Sequence, residues 1–349
     1  MTRREKENRK FLTDLFAGPF RGHAIIMGHQ GPQGPGPGDV AIPTRPVKDW
    51  LPFHLADYEA RLKWHEALDD DSVPYVKVHT GTHLFAAAFG CPVHVFEDSP
   101  ACALPLVTTA EEADRLRVPG LDAPPLARVF ELAGLLRERL GPDVSISVPD
   151  IQSPFDVAAL VWKKQEFYLA TIERPEAVKR LVGKCHALLE TFLKEFKRRV
   201  GECNMCHCPT LWAPAEIGCS LSEDEAGSMS TRMFDEFCLP TLTGLSRTFG
   251  GLFMHCCATA DHQYGSFLKI PNLRGLNRVF QAPGPRPAIE CFSGRAVLMQ
   301  AWTAEDGMCK MLDMALPNTR FLFDVSAQPI EDQKPVLARL RARCPRSGH

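Results

Sequence analysis

The chain has 349 residues, of which 45% are hydrophobic and 23% are charged, a composition typical of ordinary globular proteins. This length fits two average domains or one large α/β barrel with insertions. The 40 Lys and Arg residues against 42 Asp and Glu residues give a net charge of −2, so the sequence lacks the basic excess typical of proteins that bind nucleic acid or anionic membranes. We therefore expect a small-molecule partner.

The sequence contains no run of 18 apolar residues, and its first ten residues, 1–10, carry mixed charge without an apolar signal segment. The 13 cysteines are odd in number and irregularly spaced, which argues against a disulfide framework and favours reduced thiols. These features predict a cytoplasmic protein with no membrane partner.

Short β-like runs alternate with longer helical stretches along the chain, and the clearest amphipathic helix spans 181–200. There are eight such runs: 24–28, 73–78, 144–148, a poorly defined one within 211–222, 251–255, 273–280, 296–302 and 320–324. Eight strands joined by helices favour closure into a (β/α)8 barrel over an open sheet. We expect an N-terminal helical extension over residues 1–20 and the barrel over residues 21–345.

The strongest local motif for chemistry is His255-Cys256-Cys257, at the end of the fifth predicted strand. Alternation along a strand places His255 and Cys257 on the same face, where both could bind zinc. A catalytic zinc site usually has three protein ligands, so the motif alone also fits a polar cluster beneath a substrate pocket.

A second donor-rich segment, Cys203-Asn-Met-Cys206-His207-Cys208, has spacing that suits zinc or redox chemistry. It lacks a second cysteine pair at zinc-ribbon spacing. Three interpretations of this segment stay open: free thiols in a loop, a separate structural metal site, or a contribution to the site at His255.

Three consecutive acidic residues, Glu223, Asp224 and Glu225, precede a helix predicted to begin near Ser230. Acidic residues at a helix start are favoured by the helix dipole alone. The functional interpretation is that Glu223 or Asp224 points into the barrel as a proton acceptor or a metal ligand.

Polar residues also follow several predicted strands, at the end of the barrel where active sites form. His79 is a candidate catalytic residue, while His83, Asp150, Gln152 and His262 are candidates for substrate binding. A lone histidine such as His262 is more often structural.

Four segments, in the same order along the chain, resemble the uroporphyrinogen decarboxylase superfamily. The segment 250–257 resembles the superfamily's His-Ser-Cys-Gly type motif, and 73–91 resembles its second strand and the following A-x-x-F-G-C helix end. The segment 150–178 resembles the third-strand loop with its helix pair, and 222–240 resembles the acidic D-x-x-A-G-x-x-S element. The similarity spans roughly residues 70–340 and implies a (β/α)8 barrel.

Within the superfamily, the sequence departs from the true decarboxylases. Those enzymes carry an early Arg-Gln-Ala-Gly-Arg motif and a Ser-Asp pair after the second strand, whereas this chain has Met27-Gly-His-Gln-Gly-Pro and His79-Thr-Gly-Thr-His83. An octacarboxylate substrate needs several fixed cations, ideally arginines, and the predicted barrel-top loops have few. Decarboxylation of that substrate is therefore disfavoured.

The cobalamin-linked methyltransferases of the superfamily are similar to this chain at His255 and Cys257, which in them are zinc ligands. Their third ligand is a cysteine at the end of the last strand, where this chain has Asp324. Asp324 could substitute, another thiol could reach in, or the metal could be absent. The resemblance implies zinc-dependent methyl transfer between a corrinoid and a small thiol or related acceptor, with a corrinoid protein as a partner. The alternatives are a uroporphyrinogen decarboxylase-type enzyme of porphyrin biosynthesis and a non-catalytic binding barrel.

Overall fold

The structure is a computed structural model, and it describes residues 1–32, 38–209, 211–280 and 283–346. The strands are β1 Ala24–Met27, β2 Val93–His94, β3 Cys102–Ala103, β4 Ile146–Ser147, β5 Cys203–Asn204, β6 Cys219–Ser222, β7 Leu252–Cys256, β8 Leu273–Arg278, β9 Val297–Thr303 and β10 Arg320–Val325. The α-helices are α1 Arg3–Ala17, α2 Leu51–Ala67, α3 Leu84–Ala88, α4 Ala110–Arg115, α5 Pro124–Leu140, α6 Pro154–Val161, α7 Lys164–Glu173, α8 Pro175–Val200, α9 Thr231–Phe237, α10 Leu239–Phe249, α11 Tyr264–Phe267, α12 Arg286–Phe292, α13 Glu305–Asp313 and α14 Ile330–Arg343. Among the described residues, no helix has the length and apolar character needed to cross a membrane.

Six strands form a parallel sheet in the order β1-β10-β9-β8-β7-β6. The register pairs Ala24 with Leu322 and His255 with Asn277. Parallel neighbours require crossover connections, which here contain helices that cover the outer face of the sheet.

Shorter pairings continue this sheet into a ring. Residue Val76 bridges Ile146, β4 pairs with β5, and Gln152 bridges Ser222 of β6, all in parallel. Because Gln152, which follows β4, bridges β6 directly, β4 and β6 are the third and fourth strands of the barrel. The short strand β5 is an additional strand that pairs with β4. The fold is the expected α/β TIM-type barrel.

Two buried carboxylates complete the edge of β1 where no continuous strand lies beside it. Asp71 Oδ2 accepts a hydrogen bond from the Ile25 N–H at 2.6 Å, and Asp70 Oδ2 accepts one from the Met27 N–H at 2.8 Å. Asp71 is in turn paired with Arg341 at 2.6 Å. These contacts satisfy backbone donors that would otherwise be buried without partners.

Helix α1 closes the amino end of the barrel. Its apolar residues Phe11, Leu12, Leu15 and Phe16 are buried in one cluster with inward-facing strand residues such as Phe253. A separate, larger cluster fills the layer between the strands and the outer helices. The inner layer of the barrel next to α1 is therefore largely apolar.

The structure gives the predicted runs different lengths. The poorly defined fourth run is β6, while the run 73–78 forms only the bridge at Val76, because Pro74 has no N–H to donate to a ladder. The predicted helix 181–200 is the C-terminal part of α8. Residues 3–17 form α1, and the division of the chain at residues 20 and 21 stays a prediction.

Candidate active site and metal-binding cluster

Three side chains with metal-binding atoms converge at the carboxyl ends of β6 and β7. One ligand atom each from Asp224, His255 and Cys257 lies within 4.8 Å of the other two. The Nε2 atom of His255 is 2.8 Å from the Sγ atom of Cys257, as expected for residues two apart on a strand face. The Oδ1 atom of Asp224 accepts a hydrogen bond from the Cys257 N–H at 2.7 Å.

The orientation of His255 is fixed by the neighbouring strand. Its Nδ1 atom is hydrogen-bonded to the Oδ1 atom of Asn277 on β8, and the Asn277 amide donates to the Met299 carbonyl at 3.0 Å. An amide oxygen can only accept, so Nδ1 of His255 carries the proton. Nε2 therefore presents its lone pair toward Cys257, the orientation that a metal ligand requires.

The loop that carries Asp224 is held by a buried carboxylate from a different element. Asp156 lies in the first turn of α6, and it accepts hydrogen bonds from the N–H groups of Asp224 at 2.7 Å and Glu225 at 3.1 Å. Burial and the nearby Asp224 carboxylate raise the pKa of Asp156 to about 7. Asp156 thus positions Asp224 against His255 and Cys257.

The donor set of this cluster fits a zinc ion. Burial and the Asp224 carboxylate raise the pKa of Cys257 to about 11, because a thiolate beside a carboxylate is unfavourable without a cation. A divalent cation would remove that repulsion, and the nitrogen, sulfur and oxygen donors are those that zinc accepts. Three protein ligands also leave a coordination position for substrate.

The other two acidic residues of the 223–225 segment lie outside this cluster. Glu223 is fully buried, and burial together with the Asp156 carboxylate raises its pKa well above the usual range. Glu225 turns away toward α7, where it accepts a hydrogen bond from Tyr168 and pairs with Lys164. The sequence left Glu223 and Asp224 as alternatives, and only Asp224 joins His255 and Cys257.

A cavity of about 420 Å³ opens beside the barrel mouth between β1, β10, α2 and the segment 73–79. Its wall combines aromatic and polar side chains: Phe53, Trp64, Tyr75, Trp212, His29, Asp57, Arg61, Lys77, His79 and Asp324. The volume of this cavity, with aromatic walls and several convergent polar groups, falls within the range of small-molecule sites.

Asp57 is the centre of the polar wall. Its carboxylate is 3.0 Å from His29 Nε2, 3.1 Å from Arg61 Nε and 3.5 Å from His79 Nε2. Burial opposes its ionisation, but the bonds with His29 and His79 and the charge of Arg61 hold the pKa of Asp57 well below its usual range. Burial lowers the pKa of both histidines despite Asp57, so His29 and His79 are neutral bases at pH 7.

Asp324 lies in this cavity wall and is not part of the His255 cluster. Burial raises its pKa to about 7, although the charge of Arg61 opposes that shift. The structure therefore brings Asp224, from the end of β6, to the place where the sequence suggested Asp324 as the third metal ligand.

Asp150 connects the cavity with the cluster. Its carboxylate accepts a hydrogen bond from Gln152 at 2.5 Å, and it interacts electrostatically with both Lys77 and His255. Burial raises the pKa of Asp150. Two of the four predicted substrate-binding residues, Asp150 and Gln152, thus lie together at the barrel mouth.

The remaining histidine candidates make structural contacts. His83 is buried, 3.3 Å from the carboxylate of Asp39. His262 Nε2 is 2.8 Å from the carbonyl oxygen of Met229 and so anchors the loop that follows Glu225. Neither contact involves the His255 cluster, and a substrate-binding role for these residues stays a prediction.

The cysteines of the 203–208 segment do not gather around a common point. Cys203 contacts the sulfur of Met205 at 3.7 Å, whereas Cys206 is buried against the Pro209 carbonyl at 3.7 Å. In the described part of the chain, Asp224, His255 and Cys257 are the single group of three or more ligands with metal-binding spacing. All 13 cysteines are free.

Sequence reasoning missed His29, Asp57 and Arg61 as wall residues of the cavity. A signal for two of them exists in α2, whose buried residues are all polar and recur at helical spacing: His54, Asp57, Arg61 and His65. A polar stripe on the buried face of a helix indicates a functional or ion-paired interior.

Comparison with known proteins agrees with this architecture. The family model for uroporphyrinogen decarboxylase (URO-D) matches residues 61–274, so the chain belongs to the URO-D family. Among solved structures, a methyltransferase from Methanosarcina mazei matches with a TM-score of 0.62 and 16% identity, covering 95% of this chain and 96% of that one. A search of curated proteins found no match.

Proposed function

We propose that this protein is a zinc-dependent methyltransferase that moves a methyl group between a corrinoid and a small thiol. The observation that carries the proposal is the convergence of Asp224, His255 and Cys257 at the barrel mouth. The similarity of fold to a methyltransferase supports the same direction.

Zinc bound to this cluster would hold a substrate thiol as its thiolate, by lowering a thiol pKa that is ordinarily about 8.5. The chain's own residues prepare that event. In the neutral ring of His255, Asn277 holds the proton on Nδ1, which leaves Nε2 to face Cys257, and Asp156 keeps the Asp224 carboxylate beside Cys257. The ligands are thus oriented before substrate arrives, which reduces the reorganisation needed for reaction.

The thiol proton needs an acceptor. His79 is a neutral base in the cavity wall, with its Nε2 atom 3.5 Å from Asp57. We assign this role to His79, the catalytic histidine expected from the sequence. Glu223 is less suited to accept the proton, because burial and the Asp156 carboxylate raise its pKa and so disfavour the ionised form that an acceptor needs.

The 420 Å³ cavity is the proposed place for the body of the thiol substrate. Asp150 lies close enough to interact with both Lys77 of the cavity wall and His255 of the cluster. A corrinoid protein would deliver the methyl group at the same end of the barrel, where the substrates of such barrels bind.

The test is the loss of methyl from methylcobalamin, followed by cobalamin absorbance with several small thiols and the zinc-loaded protein. We expect metal-dependent acceleration that is lost in His255→Ala and in Cys257→Ala. The double variant should be no slower than either single variant, because each change removes the same activated thiolate. Cys291→Ser, a cysteine on α12 outside the site, serves as the matched control and should retain activity.

If no thiol gives metal-dependent methyl loss, the methyltransferase proposal is wrong. The decarboxylase alternative has its own assay, conversion of uroporphyrinogen under anaerobic conditions with product separation. We expect no useful rate. An octacarboxylate substrate needs several free cations, whereas Arg61 of the cavity wall is already paired with Asp57.

A further inference from the structure

A second cavity, of about 330 Å³, lies at the opposite end of the barrel from the His255 cluster. It is formed by the amino ends of β8, β9 and β10 together with the C-terminal end of α1, and Gly18 and Asn318 contribute to its lining. Active sites of these barrels form at the carboxyl ends of the strands. This cavity is therefore separate from the proposed active site.

Among the residues that the structure describes, three arginines and no acidic residue line this second cavity: Arg274, Arg295 and Arg320. Arg320 has a structural task, because its guanidinium donates hydrogen bonds to the carbonyls of Asp14 at 3.0 Å, Leu15 at 2.7 Å and Gly18 at 2.9 Å. These bonds satisfy carbonyls at the end of α1. Within the described ranges, the guanidinium groups of Arg274 and Arg295 make no comparable hydrogen bonds to backbone carbonyls.

Arg274 is held in place but lacks a partner for a buried donor. Its Nε atom is buried and finds no hydrogen-bond acceptor within the described ranges of the chain. Its stem packs against Gly251, where an added Cβ would lie 2.9 Å from Arg274 Cγ. A buried donor without an acceptor is costly, and it commonly marks a place for a water or an ion.

The nearby carboxylate of Asp14 offsets only part of the charge of the cavity, because it interacts electrostatically with Arg320 but is also paired with two other cations. The Oδ2 atom of Asp14, near the end of α1, is 2.7 Å from Arg21 and 3.4 Å from Lys10. Neither Arg274 nor Arg295 forms an ion pair with any residue that the structure describes. Three guanidinium groups facing one cavity repel each other, and an anion between them would relieve that repulsion.

We propose that this cavity binds the phosphate group of a small organic phosphate through Arg274 and Arg295, with Arg320 adding positive charge. The guanidinium fork matches phosphate oxygens in geometry as well as charge. A volume of about 330 Å³ is within the range of small-molecule sites, so it has room for an organic part beside the phosphate.

The experiment is calorimetric titration of the full chain, at constant ionic strength, with inorganic phosphate and separately with glycerol 3-phosphate. We expect saturable binding of both at one site per chain, with glycerol 3-phosphate at least as tight. Arg274→Gln and Arg295→Gln should each weaken binding at least tenfold. Arg247→Gln is the matched control, since Arg247 is an exposed arginine in the last turn of α10 and does not line the cavity.

The proposal is overturned if neither probe gives a saturable signal, or if Arg247→Gln weakens binding as much as Arg295→Gln does. Binding of inorganic phosphate alone would overturn the assignment to an organic phosphate. Arg295 is exposed, so its replacement should leave folding intact even if Arg274→Gln does not. Circular dichroism checks this point, and Arg295→Gln then decides the outcome alone.

Discussion

The buried carboxyl of Asp324 makes the stability of the protein fall as pH rises. Burial raises its pKa from 3.8 to about 7 in the folded chain. At a pH between these two pKa values, Asp324 has already released its proton in the unfolded chain and still holds it in the folded chain. The unfolded state therefore binds fewer protons, and the free energy of unfolding decreases with increasing pH until the folded carboxyl also ionises.

The replacement Asp324→Asn removes this titration while keeping the size of the side chain. Each pKa unit is worth about 1.4 kcal/mol, so between about pH 5 and pH 8 the variant should gain about 3 kcal/mol of unfolding free energy relative to the unmodified protein. The comparison uses the change with pH, so a constant packing cost of the amide does not affect it.

Urea unfolding at a series of pH values measures this difference. Asp69→Asn is the control, because the Asp69 side chain is 97% exposed and does not line the cavity. If the unfolding free energies of Asp324→Asn and the unmodified protein stay parallel from pH 5 to pH 8, Asp324 ionises normally. The interpretation of the cavity wall as a desolvated site would then be wrong.

Two further predictions concern stability, and urea unfolding checks both. Asp57→Asn leaves the buried Arg61 without its carboxylate and should lower the free energy of unfolding by about 3–5 kcal/mol. The control is Asp306→Asn, which should lower it by less than about 1 kcal/mol, because the side chains of Asp306 and its partner Lys310 are both about three-quarters exposed. Equal losses in the two variants would refute the burial argument. Gly218→Ala should be severely destabilising, because the new Cβ would lie 2.0 Å from the Gly251 carbonyl oxygen. Gly250→Ala has open space around the new Cβ, so only its φ of +84° opposes the alanine, and it should lower the free energy of unfolding by about 1 kcal/mol. Equal effects of the two alanines would show that the local backbone moves freely.

The barrel could be predicted from the sequence because its signals are local and periodic. Residues 251–255 and 320–324 are short apolar runs between helices, and the structure has β7 and β10 at these places. The segment before β6 carries no such pattern, because β5 and the loop after it combine buried apolar residues such as Leu211 and Trp212 with polar contacts. For example, the Asn204 amide donates to the Leu211 carbonyl at 2.8 Å.

The site was only partly predictable. The pairing of His255 with Cys257 follows from strand alternation, which sequence spacing shows directly. The position of Asp224 depends on Asp156, 68 residues away in the chain, which bonds the N–H of the acidic loop. No local pattern shows a contact of that kind. The same limit explains why Asp324, at the end of the last strand, was a reasonable but different choice for the third ligand.

The central claim is that Asp224, His255 and Cys257 together hold a metal ion, and zinc content measures it most directly. The purified protein, the Asp224→Ala variant and the Asp324→Ala variant would be titrated with zinc and analysed for bound metal after gel filtration. We expect about one zinc per chain in the unmodified protein and in Asp324→Ala, with a large loss in Asp224→Ala. Loss of zinc in Asp324→Ala with retention in Asp224→Ala, or no zinc uptake by the unmodified protein, would contradict it.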